Sequence, residues 1–208
     1  MDLTKLLFTL IGSSGVAATG AYLTKDSWMP PKKSIEDALT GKKLISSMKG
    51  EALTKQWQEE FESDRESIKG VIGFKDNDKE NGGLALSKWC SDQMSLDFLK
   101  NQEVFKNVEK YCLIRSVSSQ LSRKGKSLLA DSDASGWSAT YAKRKEKSTP
   151  REDLGLSKDW VDNKESEELP TIKTWCSKNS KEDFIDSGEN SLYIKVLKWC
   201  TSDGSKEN

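Results

Sequence analysis

The residues with the most definite chemistry in this chain are four cysteines, each following an aromatic residue: Trp89-Cys90, Tyr111-Cys112, Trp175-Cys176 and Trp199-Cys200. Thiols so placed can close disulfides, ligate zinc, or pack as small hydrophobes beside their aromatic neighbours. Zinc is disfavoured, because the chain has no Cys-x-x-Cys and no histidine, and the cysteines of each half stand 22 and 24 residues apart. Four cysteines allow three pairings. If the two halves are copies of one unit, Cys90–Cys112 and Cys176–Cys200 is the economical arrangement, since each unit must have closed its own pair before it was copied. Each such disulfide would stabilise by about 3 kcal/mol. Two pairs of buried reduced thiols is the competing expectation, and the compartment decides between them.

The absence of histidine removes Ser-His-Asp and Cys-His nucleophiles, histidine general bases and the commonest zinc and iron ligand sets. Paired carboxylates, as in a hydrolase, stay open in principle, but 33 acidic and 33 basic residues single out no pair. Those charges cancel, so no overall field draws the chain to nucleic acid. Gly125-Lys126-Ser127 resembles the end of a phosphate-binding loop, yet the position five residues earlier is Gln120 where the pattern needs glycine. The clusters Arg123, Lys124, Lys126 and Lys143-Arg144-Lys145-Lys147 read as solvated helix faces. Seven tryptophans at helical spacing read as core anchors, with stacking on a ligand as the alternative. The sequence therefore predicts no enzyme, no cofactor, no metal site and no identifiable small-molecule substrate.

Helices must position these residues. Leu53, Trp57, Phe61 and Ile68 share one helical face, as do Phe98, Phe105, Val108 and Cys112, and also Leu192, Val196, Trp199 and Cys200. Two antiparallel helices clasped near one end would suit each cysteine pair. Ser180 with Asp183 resembles a capping box, and Ser95 can cap the matching helix of the first half. Segments 76–83 and 165–170 read as loops.

The chain also matches itself. Gly41-Lys42-Lys43-Leu44-Ile45 recurs 84 residues on as Gly125-Lys126-Ser127-Leu128-Leu129, and Trp57 meets Tyr141 at the same offset. Phe74-Lys75-Asp76-Asn77, Trp89-Cys90-Ser91 and Asp97-Phe98 recur at 86 as Trp160-Val161-Asp162-Asn163, Trp175-Cys176-Ser177 and Asp183-Phe184. Phe105, Val108, Lys110, Tyr111 and Cys112 meet Tyr193, Val196, Lys198, Trp199 and Cys200 at 88. The predicted fold is mainly α, with an apolar N-terminal helix followed by two tandem related units. The boundaries are 1–23 for a signal anchor or signal peptide, 24–34 for a linker, 35–121 for the first unit and 122–208 for the second.

Leu6 to Leu23 run eighteen residues without a charge. As a helix they span about 27 Å, just short of a ~30 Å hydrocarbon core. A retained anchor, a cleaved signal and a buried cytosolic helix are the three readings, the first preferred. The charges flanking the segment nearly cancel, which leaves its orientation open.

A Leu3-Thr4-Lys5 head, a Gly/Ala-rich apolar stretch, and the elements Leu86-Ser87-Lys88-Trp89-Cys90 and Ile172-Lys173-Thr174-Trp175-Cys176 form a pattern. It resembles the large paralogous families of uncharacterised proteins encoded by hemotropic mycoplasmas. That resemblance implies a wall-less bacterium and a place at or beyond its single membrane, and it carries no activity and no site residues. The expected role is a non-enzymatic, single-pass or secreted surface protein with a variable host-facing body. It would be held to the membrane by its N-terminal helix and would meet a host protein or immune ligand. The alternatives are an adhesin with a Trp-lined surface and a cytosolic helical scaffold.

Overall fold

The computed structural model describes residues 32–186, 188 and 191–206, so the expected anchor or signal at 1–23 lies outside the described residues. Among the described residues the regular structure is helical with isolated β-bridges, and no helix is long and apolar enough to cross a membrane.

The first half opens with α1 (Ile35–Ala38). The Ser34 hydroxyl accepts from the Asp37 N–H and the Asp37 carboxylate accepts from the Ser34 N–H, a reciprocal cap. A 3-10 turn at Ile45–Ser47 leads to α2 (Gly50–Ser63) and α3 (Arg65–Ile72). The apolar face read along 53–68 is thus two helices, broken at Asp64, although Trp57, Phe61 and Ile68 still reach one core. Then come α4 (Lys79–Gln93) and α5 (Gln102–Tyr111). The second half comprises α6 (Val117–Arg123), α7 (Ala134–Glu146), a 3-10 turn at Glu152–Leu154, α8 (Glu165–Asn179) and α9 (Leu192–Cys200).

Of the two expected loops, 165–170 is helical throughout and 76–83 is helical from Lys79, with 76–78 irregular as expected. Asp78 accepts from the Asn81 N–H and starts α4, so residues 79–83 lie in the helix. Residues 165–170 form the first turns of α8, where Glu165, Glu167 and Glu168 favour the positive end of the helix dipole. Pro170 removes one backbone donor there, and burial of Ile172 and Cys176 outweighs that loss. The caps differ as well. Ser191 caps α9 and Asn101 precedes α5, whereas Ser180 ends α8 and Ser95 lies in the turn after α4. Local capping patterns are short, and tertiary pairing of the 95–98 and 181–184 segments decides their fate.

Those segments make the same backbone pairings in both halves. Ile35 N–H donates to Leu96 O at 2.9 Å and Val117 N–H to Glu182 O at 2.9 Å. Phe98 N–H donates to Lys33 O at 2.8 Å and Phe184 N–H to Arg115 O at 2.7 Å. Ile45 N–H donates to Cys112 O at 3.0 Å and Leu129 N–H to Cys200 O at 2.8 Å. Gly41 and Gly125 both take positive φ, at 83° and 71°. Each turns the chain out of a short helix, which is the local role of the recurrent Gly-Lys motif.

Two cores result. One gathers Ile35, Ile45, Trp57, Phe61, Ile68, Leu86 and Val108 around Cys90 and Cys112. The other gathers Trp137, Tyr141, Ile172, Phe184, Val196 and Trp199 around Cys176 and Cys200. Val117 and Leu121, on the first-unit side of the 121/122 boundary, pack into the second core.

Gly82 and Gly83 explain how α4 reaches α2. A Cβ on Gly82 would meet the Phe61 ring, and one on Gly83 would lie 2.9 Å from the Gln58 backbone nitrogen. Gly83→Ala should therefore cost about 1–3 kcal/mol, because backbone cannot give way as a side chain can. Gly70, in α3 with open space around it, is the control. Gly70→Ala should stabilise by about 0.5–1 kcal/mol, with both changes read from urea midpoints.

Candidate functional site

The four cysteines predicted from spacing come together as two disulfides, Cys90–Cys112 and Cys176–Cys200, with Cα–Cα separations of 5.8 and 5.6 Å. Both members of each pair sit at the C-terminal ends of their helices. A simple antiparallel hairpin would instead bring the C-terminal end of one helix to the N-terminal end of the next, so each bridge joins different ends from those expected. A cleft lies over each bridge. The one over Cys90–Cys112, about 400 Å³, is lined by Glu36, Ser46, Trp57, Ser91 and Met94. The one over Cys176–Cys200, about 270 Å³, is lined by Asp131, Trp137, Lys173, Ser177 and Lys181. All four cysteines are at most 5% exposed. Among the described residues no group of three His, Cys, Asp or Glu is placed to hold a metal ion.

The charged residues hold the larger surprise. Arg123, read as part of a solvated face, is turned inward onto Glu60 of α2, and Arg115 reaches the same carboxylate oxygen. Glu60 is 2% exposed. Arg123 donates to Glu60 Oε1 at 2.7 Å, to Ser63 Oγ at 3.1 Å and to Lys110 O at 3.0 Å. Gln56, 1% exposed, donates to Phe184 O at 3.1 Å and accepts from the Asp186 N–H at 3.0 Å. Gln120 donates to Glu59 at 3.2 Å. These bonds fasten α2 of the first half to residues 115–123 and 184–186. Burial pushes the Glu60 carboxyl up and the Arg115 guanidinium down, and their mutual attraction opposes both shifts. The sequence did carry a signal: Gln56 and Glu60 flank Trp57 and Phe61 on a single helical face.

Arg144 is also interior, at 1% exposure, and donates to Gly204 O at 2.8 Å. It follows Trp137 and Tyr141 at i+7 and i+3, a spacing that places it on their buried face. The rest of its cluster is peripheral, with Lys143 on Glu146 and Lys145 on Asp162.

A second buried ion pair lies among rings. Arg151, side chain 0% exposed, binds the Glu168 carboxylate and donates to Ser157 O at 2.7 Å. Its guanidinium lies 4.2 Å from the Trp160 ring centre, and Trp160 stacks on Trp199 at 6.0 Å. The Tyr141 hydroxyl donates to Glu168 at 2.7 Å. Burial and that hydrogen bond push the phenol up to about 12. A raised phenol stabilises the fold fully below its ordinary value of 10.0, and the contribution disappears as pH rises through about 12. Phenolate absorbance should accordingly show a late-titrating tyrosine that Tyr141→Phe removes.

The tryptophans divide. Trp57, Trp137 and Trp199 are buried, while Trp89 and Trp175 are half-buried at matching places on α4 and α8. Trp175 lines an open cleft of about 610 Å³ between the 152–154 turn and α8.

Comparison with family models, with curated proteins and with solved structures finds no match to this chain.

Proposed function

We propose that this chain is the body of an exported, non-enzymatic protein, tethered by its N-terminal segment or secreted, that displays two tandem related helical units toward a host. The observation that carries it is the pair of closed disulfides. Structural disulfides persist in oxidising surroundings and are rare where thiol reductants hold cysteines reduced. The matched backbone pairings, Ile35 with Val117, Phe98 with Phe184 and Ile45 with Leu129, support the duplication and extend its register back to Ser34 and Ser116. The uncharged run at 6–23 supports the tether, and the resemblance to hemotropic mycoplasma families supports the host-facing role. Its partners would be the membrane and a host protein or immune ligand.

The test is a membrane-impermeant thiol reagent applied to intact cells before and after reduction, with the cysteine peptides mapped by mass spectrometry. Labelling only after reduction, with Cys90–Cys112 and Cys176–Cys200 recovered as linked peptides, is the expected result. Free thiols that label only after lysis would place the body inside and end this reading.

One observation favours a second, adhesive role: Trp175, half-buried and packed against the second core, also lines an open cleft whose other walls are mostly polar.

A further inference from the structure

α8 presents two adjacent rows of side chains to the cleft that faces the 152–154 turn. Pro170, Thr174 and Lys178 form one i, i+4 row, and Thr171, Trp175 and Asn179 the other. Asp153 and Leu154 supply the opposite wall. The cleft is shallow and open, a poor enclosure for an apolar molecule. Its distinctive content is one large aromatic surface ringed by donors and acceptors.

The Trp137 indole N–H is used, donating to Ala130 O at 2.9 Å. Among the described residues the Trp175 indole N–H has no protein acceptor, nor is it sealed from solvent. Asn179 donates its amide to Trp175 O at 2.8 Å, which leaves its side-chain oxygen as an acceptor. Thr174 donates to Pro170 O at 2.9 Å and keeps lone pairs to accept with. Asp153 pairs with Lys195 through one carboxylate oxygen, and the other stays available. The side chains of Lys178 and Thr171 are exposed and make no bond to the described residues.

An aromatic surface with both donors and acceptors around it matches one ligand chemistry well. A pyranose has an apolar C–H face that packs on an indole and a rim of hydroxyls that both donate and accept. We propose that this cleft binds a saccharide, with Trp175 as the stacking platform and Thr171, Thr174, Lys178, Asn179 and Asp153 meeting its hydroxyls. A nucleic acid strand fits poorly, because Lys178 is the one cation lining the cleft and the opposite wall carries Asp153. The first half supplies an internal contrast. At the places of Thr174 and Lys178 it carries Lys88 and Asp92, an exposed ion pair at 2.8 Å, so beside Trp89 the first half has no hydroxyl and no unpaired lysine at those two places.

The proposal deepens the adhesive reading above and does not depend on where the protein resides in the cell. The purified, oxidised chain would be applied to an immobilised panel of neutral and acidic pyranose oligosaccharides. Binding to at least one class is expected, weakened tenfold or more by Trp175→Ala and by Thr171→Arg, and unchanged by Trp89→Ala. Thr171 is exposed, so its arginine variant blocks the cleft without disturbing the core should the tryptophan variant misfold. Absence of binding to every member would overturn the proposal, as would wild-type binding by both cleft variants. Either outcome leaves the exported, disulfide-bonded reading standing, because thiol mapping on cells decides that separately.

Discussion

Glu60→Ala should destabilise the protein by about 3–5 kcal/mol, one of the two largest effects expected of a charged residue in the chain. Glu60 is 2% exposed, and the Arg115 and Arg123 side chains that bind it are 9% and 14% exposed. Removing the carboxylate strands two guanidinium groups with little water to solvate them, and that uncompensated burial sets the cost. Replacing all three together tests the mechanism. Glu60→Met with Arg115→Met and Arg123→Leu should be near neutral or stabilising, since an ion cluster exchanged for apolar packing no longer bears the desolvation cost. The network also joins the two cores. Glu60→Ala should therefore turn a single urea transition, followed by far-UV circular dichroism and tryptophan fluorescence, into two. A loss below about 1 kcal/mol with one transition would mean that the arginines reach solvent and that the halves are held by other contacts.

Glu168→Ala should cost a similar amount, about 3–5 kcal/mol, for a related reason in a different setting. Arg151 is fully enclosed, between the Glu168 carboxylate and the Trp160 ring. Without Glu168 it keeps a bond to Ser157 O and the ring face, which is too little for a buried cation. Glu168→Gln keeps the shape and an acceptor, so it should cost less. Burial pushes the Glu168 carboxyl up, but hydrogen bonds from Arg151 and Tyr141 prevail and hold it below its ordinary value of 4.5. A depressed carboxylate stabilises the fold fully above 4.5, and the contribution is lost as pH falls through the folded value. The acid limb of stability should shrink in Glu168→Gln, with near-UV circular dichroism of the Trp160–Trp199 stack as the readout. An unchanged acid limb would assign that limb to other carboxylates, of which Asp64, hydrogen-bonded by Tyr111 at 2.9 Å, is the first to examine.

The sequence by itself determined the helical class and pointed to the economical pairing of the cysteines, leaving their oxidation to the structure. Both follow from recurrence and period: apolar residues three or four apart need a helix, and a repeated aromatic-cysteine step at matched spacing leaves one economical pairing. It also placed Trp57 and Trp199 in cores, because their helical neighbours are apolar. Tertiary structure decided the rest. Residues 76–83 and 165–170 look like loops because glycine, proline and charge dominate them. The first is helical from Lys79 on, where Gly82 and Gly83 admit Phe61 and the α2 backbone, and the second where Ile172 and Cys176 must be buried. The basic clusters misled for a similar reason, since composition reports charge and not direction. Whether Arg123, Arg144 or Arg151 faces water depends on what packs opposite it: Glu60, Gly204 O and Glu168 lie 63, 60 and 17 residues away in the chain. Partners at that range are chosen by how helices pack, and no local spacing encodes them.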